Sequence, residues 1–203
     1  GVIWNTDARR MKAVDQLSRK AHSAKPLKRI YIPKKNGKLR PLGIPCMIDR
    51  AQQALHLLAL EPVSETFADL NSYGFRPNRS TADAVSQCFK CLALKQSAKW
   101  VLEGDIKACF DKIGHKWLMD NIIVYKRMLE QWLKSGYVDK GLFYDTEEGT
   151  PQGGIISPTL MLMTLAGIEQ QIKSTALKMG ARANFIGYAD DFVVTCSSKE
   201  VLV

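Results

Sequence analysis

The sequence predicts an α+β fold, because two hairpin patterns of apolar strands alternate with stretches of helical spacing. The first hairpin covers residues 29–44 and turns at Asn36-Gly37, a dipeptide that suits the positive φ angles of a type I′ turn. Pro41 confines its returning strand to the edge of a sheet, since proline cannot donate a ladder hydrogen bond. The second hairpin covers residues 184–196 and is interrupted by two adjacent acids.

Helical spacing and cap signals predict the helices. Thr6 is a suitable N-cap for the first helix, and Ser80 or Thr81 for the third, because a hydroxyl can accept a bond from the first turn. Pro62 is expected to interrupt or restart the second helix, since proline lacks the required N–H. The predicted helices cover residues 7–22, 49–67, 81–95, 115–123, 126–135 and 159–179.

Composition indicates a folded protein without a membrane span or secretory signal. The 203 residues are 46% hydrophobic and 24% charged, enough for one substantial domain or two small ones sharing a core. No apolar run approaches the roughly 18 residues of a membrane span, and the amino terminus lacks a signal pattern. The five cysteines include one CxxC pair, Cys88 and Cys91, so we expect small buried thiols in a reducing cytoplasm rather than a zinc site.

Positive charge is concentrated at the amino-terminal quarter of the chain. Residues 1–50 hold 13 Lys and Arg against 3 Asp, whereas the remainder holds 16 basic and 17 acidic residues. Such a basic segment on a nearly neutral body indicates a polyanionic partner, such as nucleic acid or nucleotide phosphate. A solubilising surface is the alternative.

Three carboxylates interrupt apolar strands. Asp190 and Asp191 sit at the tip of the second hairpin, and Asp105 interrupts a lone apolar strand at residues 100–106. Adjacent carboxylates in an apolar setting repel each other, and a cation relieves that conflict. If the strands are neighbours in one sheet, the three acids converge on one point. A solvated turn is the alternative interpretation of the acidic pair.

Oxygen ligands without nearby Cys or His favour Mg²⁺ over zinc. Two such ions about 3.5–4 Å apart clamp the entering and leaving oxygens of a phosphoryl displacement. The carboxylates therefore predict a two-metal site for phosphoryl chemistry.

The same residues resemble motifs of reverse transcriptases, and five of these motifs occur in the order of that family. Tyr-Ala-Asp-Asp at 188–191 resembles motif C, Asp-Ile-Lys-Ala-Cys-Phe at 105–110 resembles motif A, and Gly-Thr-Pro-Gln-Gly-Gly-Ile-Ile-Ser-Pro at 149–158 resembles motif B. Residues 38–45 and 73–80 resemble the fingers motifs. These two segments, with this form of motif B, are most similar to group II intron-encoded proteins, which combine reverse transcription with maturase activity.

The resemblance implies the fingers and palm of a right-hand polymerase, with an antiparallel palm sheet backed by helices. Residues 1–99 would be mainly fingers with part of the palm, and residues 100–203 mainly palm. The chain lacks an initiator Met and stops 12 residues after Asp191. We therefore expect a fragment without thumb or maturase region, with weak processive synthesis and apolar surface that favours self-association as a homodimer.

By resemblance, Asp105 and Asp190 bridge two Mg²⁺ ions, for which Mn²⁺ can substitute. Asp191 assists, and the backbone carbonyl of Ile106 completes a site. Phe110 would be the steric gate, a ring that excludes the 2′-hydroxyl of a ribonucleotide.

Further binding roles follow from the fingers motifs and motif B. By resemblance, Lys34 and Arg40 contact the phosphates of the incoming nucleotide, and Gln152 lies against that nucleotide. Arg76, Asn78 and Arg79 would position the template phosphate backbone. The alternatives are a solvated hairpin for the two fingers cations, an ordinary loop-to-helix entry for Gln152 and a surface turn for the residues at 76–79. For Phe110 the alternative is a core side chain.

The implied activity is RNA-directed DNA polymerisation, in which a primer 3′-hydroxyl attacks the α-phosphate of a dNTP and pyrophosphate leaves. The implied partners are an RNA template, expected to be intron RNA, a DNA primer and dNTPs, in a bacterial or organellar cytoplasmic compartment and without a membrane. Two alternatives stay open. One is an RNA-binding splicing maturase module with an incidental polymerase site, and the other is a retron or diversity-generating reverse transcriptase.

Overall fold

The computed structural model describes residues 3–18, 20–34 and 37–202. It divides the chain into two compact units, each built from two separated segments. The first unit comprises Gly1–Pro62 and Cys109–Met161, and the second comprises Val63–Ala108 and Leu162–Val203. The assignment of residues 1–99 to fingers and 100–203 to palm stays a prediction.

Runs of helices and antiparallel strand pairs occur along the chain, as the α+β prediction requires. In chain order they are α1 (Asp7–Val14), β1 (Leu27–Pro33), β2 (Leu39–Ile44), α2 (Met47–Phe67), α3 (Thr81–Leu92), β3 (Trp100–Asp105), α4 (Cys109–Lys112), α5 (His115–Asn121), α6 (Lys126–Leu133), β4 (Tyr137–Asp139), β5 (Leu142–Tyr144), α7 (Ser157–Leu165), α8 (Ile168–Lys178), β6 (Ala183–Tyr188) and β7 (Asp191–Cys196).

The first unit contains a four-stranded sheet in the order β2-β1-β4-β5. Strands β1 and β2 pair antiparallel from Lys28↔Ile44 to Pro33↔Leu39, so the predicted first hairpin is confirmed. Pro41 lies on β2, an edge strand as expected. The predicted turn residue Asn36 lies outside the described residues. Strand β4 runs parallel to β1. The apolar side of α6 contributes four buried side chains to the core of this unit: Met128, Leu129, Trp132 and Leu133.

The second unit contains a three-stranded antiparallel sheet in the order β3-β7-β6. Its strands are the lone apolar strand and the two strands of the second hairpin, each at its predicted position in the sequence. One core cluster joins this sheet to Ala176 of α8 through Ala183, Phe185, Val194 and Cys196. A smaller cluster joins Ile186 of β6 to Tyr73 and to Ala84 of α3. Helix α3 begins with the predicted Ser80 cap, in a reciprocal capping box with Asp83.

Three helix predictions were wrong in extent. Helix α1 begins after the predicted cap Thr6 but ends at Val14, because the backbone N–H of Ser18 donates to Gln52 of α2 instead of continuing a helix. Helix α2 continues through Pro62. Pro62 has no N–H to donate to the carbonyl of Leu58, and Leu58 lies on the exposed side of the helix.

The helix predicted at 159–179 is two helices. Residues 157–165 form α7 and residues 168–178 form α8, and Gly167 separates them with a φ of +95°. A left-handed residue of this kind ends a helical run, and glycine adopts it without a Cβ clash.

All five cysteines are free thiols. Among the described residues, no helix is both long and apolar enough to cross a membrane.

Candidate active site

The second hairpin places the two adjacent acids at and beside its turn. Tyr188 pairs with Asp191, so Ala189 and Asp190 form a two-residue connection between β6 and β7. Ala189 has a φ of +59°, which the tight turn demands. Asp190 therefore occupies the tip of the hairpin, and Asp191 begins the returning strand.

Strand β3 brings the third acid alongside. Asp105 is the register partner of Asp191 in the antiparallel β3–β7 pair. Directly opposed residues have Cβ atoms about 4.5–5.5 Å apart and point to the same face. The backbone N–H of Ile106 also donates to the carbonyl oxygen of Asp190 at 3.0 Å. The fold thus brings together acids that are far apart in the sequence.

Mutual repulsion is evident at this acidic cluster. The pKa of Asp191 is raised above its ordinary value, first by partial burial and then by the negative charges of Asp190, Asp105 and Glu103. No group of three or more His, Cys, Asp and Glu side chains in the described part of the chain is already arranged as a metal site. The donor set nevertheless fits a hard divalent cation, because it consists of carboxylate oxygens whose repulsion a cation relieves.

The segment 71–74 supports the hairpin from one side. The Tyr73 N–H donates to the Gly187 carbonyl at 2.9 Å, and the Gly187 N–H donates to the Asn71 carbonyl at 2.8 Å. A Cβ on Gly74 would lie 2.2 Å from the backbone nitrogen of Ala189. The backbone of this segment therefore lies directly against the turn that carries Asp190.

A polar network holds the same segment. Glu169 of α8 is buried and accepts hydrogen bonds from the backbone N–H of Asn71 at 2.9 Å and from its amide at 2.6 Å, and Lys173 also bonds to it. Burial acts to raise the pKa of Glu169, but the bonds from Lys173 and Asn71 outweigh it and hold the pKa below its ordinary value. Sequence inspection overlooked Asn71 and Glu169, since nothing in their spacing links them.

Asp69 fixes the other end of this support. Its carboxylate accepts from the backbone N–H groups of Gly167 and Glu169, each at 3.1 Å. It thereby satisfies the first turn of α8, where negative charge is also favourable.

Gly74→Ala is expected to lower the free energy of unfolding by about 1–3 kcal/mol, because the added methyl group collides with backbone that cannot rotate away. Urea denaturation followed by circular dichroism measures the change. Gly114→Ala is the matched control, since its Cβ would meet nothing within 4 Å. Equal stability of the Gly74→Ala variant and the wild type would contradict the contact.

Asp191→Asn is expected to raise the melting temperature slightly at neutral pH in EDTA, because the side chain is exposed and solvent screens much of the repulsion. The raised pKa means that the folded state holds the proton more tightly than the unfolded state. Ionisation of Asp191 therefore destabilises the fold above its folded-state pKa, and this penalty disappears as the pH falls to about 3.

Thermal melts at both pH values, with Asp145→Asn as an exposed control, measure this effect. Added Mg²⁺ should reverse the order of stability, since a bound cation favours the intact carboxylate. A gain from Asp191→Asn that persisted unchanged at pH near 3 would refute charge repulsion as the cause.

Arg76, predicted to contact template phosphate, forms hydrogen bonds within the second unit. Its side chain is 4% exposed. The guanidinium donates to both carboxylate oxygens of Glu65 at 2.9 and 2.8 Å, and to the carbonyls of Asp69 and Ser72 at 2.8 and 2.7 Å. These bonds use four of the five guanidinium N–H groups, so Arg76 joins the 69–72 segment to Glu65.

Asn78 and Arg79 are exposed in the loop before α3. Asn78 has a φ of +57°, a conformation that asparagine tolerates in turns. Both side chains lie where an external polyanion can reach them.

Gln152 belongs to a closely held loop of the first unit. Its side-chain amide donates to both carboxylate oxygens of Asp111 at 3.2 Å, and its carbonyl accepts from the Gly43 N–H at 2.9 Å. The loop is further held by the buried amide of Gln53, which accepts from the Ile155 N–H at 2.8 Å. The Gln152 side chain is thus fixed in position by its neighbours.

Phe110 lies in the short helix α4 and is half-buried. Its carbonyl accepts from the Thr150 N–H at 2.7 Å, so this residue is attached to the same loop as Gln152. The structure therefore brings Phe110 and Gln152 into one part of the first unit.

Lys34 and Arg40 lie on the β1–β2 hairpin, and both are exposed. Arg40 pairs with Ile32 in the ladder, and the Lys34 N–H donates to the Lys38 carbonyl at 2.7 Å. The two cations therefore belong to one hairpin.

Known proteins with similar sequences were found for most of this chain. Protein YkfC of Escherichia coli K12 is 39% identical over 178 residues, covering 83% of this chain and 46% of that protein. The group II intron-encoded protein LtrA of Lactococcus lactis subsp. cremoris is 34% identical over 174 residues, covering 82% of this chain and 28% of that protein. The chain thus spans less than half the length of these relatives.

Solved structures with the same fold include two yeast telomerases. The structure of telomerase from Candida albicans with the TWJ fragment of telomeric RNA gives a TM-score of 0.60 at 13% identity, over 95% of this chain and 42% of that one. Apo telomerase from Candida tropicalis gives 0.58 at 14% identity, over 92% and 41%. At this identity the likeness establishes the fold, and it confirms the predicted α+β class.

A family model for reverse transcriptase (RNA-dependent DNA polymerase) matches residues 32–203. The predicted resemblance to group II intron-encoded proteins is confirmed by the relatives. The chain belongs to the reverse transcriptase family.

Proposed function

We propose that this chain carries the polymerase centre of an RNA-directed DNA polymerase, which extends a DNA primer on an RNA template. The observation that carries the proposal is the register of Asp105 opposite Asp191, with Asp190 at the adjoining hairpin tip. The charges of Asp190 and Asp105 help to raise the pKa of Asp191, and such repulsion costs stability unless a cation binds between the acids. A binding module alone gains nothing from that cost.

Asp105, Asp190 and Asp191 would hold two Mg²⁺ ions, or Mn²⁺ in their place, with the backbone carbonyl of Ile106 as a further ligand. When bound, these ions supply charge neutralisation at the phosphate and activation of the attacking oxygen. The chain's own part is to keep the acids on one rigid strand pair, which the segment 71–74 supports. The geometry of the attack then depends on how firmly this hairpin is held.

Residues of the first unit are proposed to bind the incoming nucleotide. Lys34 and Arg40 would neutralise its phosphates, Arg40 through paired N–H groups and Lys34 as a point charge. Gln152, fixed by Asp111, would lie against the nucleotide, and Phe110 would exclude a 2′-hydroxyl. The attachment of the Phe110 and Gln152 backbones to one loop supports a shared role.

The proposed nucleic-acid partners are an RNA template and a DNA primer. Asn78 and Arg79 would contact the template backbone, which sets position without reading sequence. The intron-encoded names of the relatives support intron RNA as the natural template and a role in intron splicing and retrohoming. A cytoplasmic compartment in a bacterium or organelle, and self-association into homodimers, are parts of the same proposal.

Extension of an annealed DNA primer on an RNA template, followed on a sequencing gel, tests the activity. We expect incorporation of dNTPs that requires Mg²⁺ or Mn²⁺ and stops in EDTA. Filter binding of the same RNA with and without Mg²⁺ distinguishes this polymerase from an RNA-binding splicing module that lacks polymerase activity. Tight binding of the RNA without any incorporation of dNTPs would favour that module.

Phe110→Val is expected to increase incorporation of ribonucleotides relative to deoxynucleotides by about 10–100-fold, because the smaller side chain leaves room for the 2′-hydroxyl. Single-nucleotide extension with matched rNTP and dNTP measures the ratio. Phe143→Val on the exposed strand β5 is the control. An unchanged ratio would remove Phe110 from the proposed site.

A further inference from the structure

The second unit has an open cleft at the end of its sheet away from the three acids. The cleft has a volume of about 860 Å³. It is bounded by the carboxyl-terminal half of α3, by residues 96–99 before β3, and by residues 180–182 between α8 and β6. The proposed catalytic residues do not line it.

The lining of this cleft is cationic. Lys90, Lys99 and Arg182 line it together with the amide side chains of Gln87 and Asn184, and none of its described lining residues is acidic. The ion pairs found between described residues involve none of these three cations. Uncompensated cations around a concave surface create a positive potential that attracts polyanions.

Charge is therefore polarised along the strands of the second unit. Glu103 and Asp105 lie at the carboxyl end of β3, whereas Lys99 precedes its first residue and is about 20 Å from Asp105 at 3.3 Å per residue. Near that basic end, the Lys199 ammonium lies 5.3 Å from the ring centroid of Trp100, which is 44% exposed. An exposed ring beside cations is the combination on which unpaired bases stack.

We propose that this basic cleft binds the phosphate backbone of RNA at a place separate from the polymerase centre. Lys90, Lys99 and Arg182 provide the charge, and amide groups provide additional hydrogen-bond donors. The exposed ring of Trp100, the residue that follows Lys99 in the chain, provides a stacking surface. Such contacts give affinity without reading sequence. The inference goes beyond the proposed function, because it requires no catalysis.

The double variant Lys99→Gln/Arg182→Gln tests the cleft, and Lys116→Gln/Lys134→Gln is the matched control. The control removes the same charge from two exposed lysines that are already paired with Asp120 and Glu130. Binding of a labelled single-stranded RNA of about 30 nucleotides is titrated by fluorescence anisotropy at several salt concentrations, without dNTPs or divalent metal.

We expect the cleft variant to lose about tenfold in affinity and about 1.4 from the salt slope, since each lost phosphate contact removes about 0.7. The control should change affinity less than about twofold. The charge-conserving variant Lys99→Arg/Arg182→Lys should restore binding. Equal losses in the cleft variant and the control, or failure of the charge-conserving variant to bind, would overturn the proposal.

Two further arms separate related outcomes. Extension of a short primer–template should be the same for both double variants, so a failure of the polymerase proposal would not affect the binding result. Inorganic phosphate, titrated as a competitor, distinguishes a site for free anions from one for a strand. If the cleft variant bound RNA as tightly as the wild type but phosphate competed with RNA less well, the cleft would be a site for free anions. That result would also overturn the proposal.

Discussion

Replacement of Asp105 or Asp190 with Asn is expected to lower the rate of primer extension at least about 10²–10³-fold while leaving the fold intact. Each amide keeps the shape of the side chain but removes a negative charge from the cluster in which Asp105 faces Asp191. The loss should appear in the maximal rate, because the charge acts where new charge develops in the transition state. Single-turnover extension of an annealed primer measures it.

Asp120→Asn is the control for this experiment, since Asp120 is an exposed acid of α5 paired with Lys116. Melting temperatures exclude unfolding as the cause. Removal of like charge from the cluster should leave each variant as stable as the wild type, or more stable, in EDTA. Extension at the wild-type rate by both Asp105→Asn and Asp190→Asn would contradict the proposed centre.

Arg76→Ala is expected to lower the free energy of unfolding by about 3–5 kcal/mol, the largest stability effect among the changes considered. The substitution leaves the Glu65 carboxylate without its bidentate partner, and it leaves the carbonyls of Asp69 and Ser72 without a donor. For a chain of this length the loss corresponds to a fall of about 10 °C in melting temperature. Denaturant and thermal unfolding both measure it.

Arg79→Ala, three positions along the same loop, is the control and should be nearly neutral in stability, because that side chain is exposed. Acidity provides a second check. The hydrogen bond from Arg76 is the main cause of a lowered Glu65 pKa, so the pair stabilises the fold above the unfolded-state pKa of Glu65. That stability is lost as the pH falls through the folded-state pKa. If the loss of unfolding free energy caused by Arg76→Ala were as large at acidic pH as at neutral pH, the ion pair would be contradicted.

Strand pairing in the second unit could be predicted from sequence because its pattern is local. Apolar strands broken by acids are visible by inspection, and a two-residue turn fixes the register of β6 on β7. The sequence does not show that β3 lies next to β7. It shows only that the three acids would converge if the two strands were neighbours. The structure meets that condition in the pairing of Asp105 with Asp191.

Other features of the fold and the site could not be predicted from the sequence pattern. Strands β4 and β5 are three residues each, too short for an alternation pattern. The division of the second unit into two separated segments depends on contacts between residues about a hundred positions apart, such as Asn71 with Glu169. Arg76 looked like a phosphate ligand because sequence shows its charge but not its burial against Glu65.

The segment from Asn71 to Arg79 contacts the acidic hairpin with one end and faces solvent with the other. At one end its backbone is bonded to Gly187 and presses on Ala189, and at the other it presents Arg79 to the outside. Nucleic acid bound to Arg79 would be coupled to the turn that bears Asp190 through fewer than ten peptide units. Occupancy of the loop and stiffness of the acidic tip would then be thermodynamically linked, each reinforcing the other.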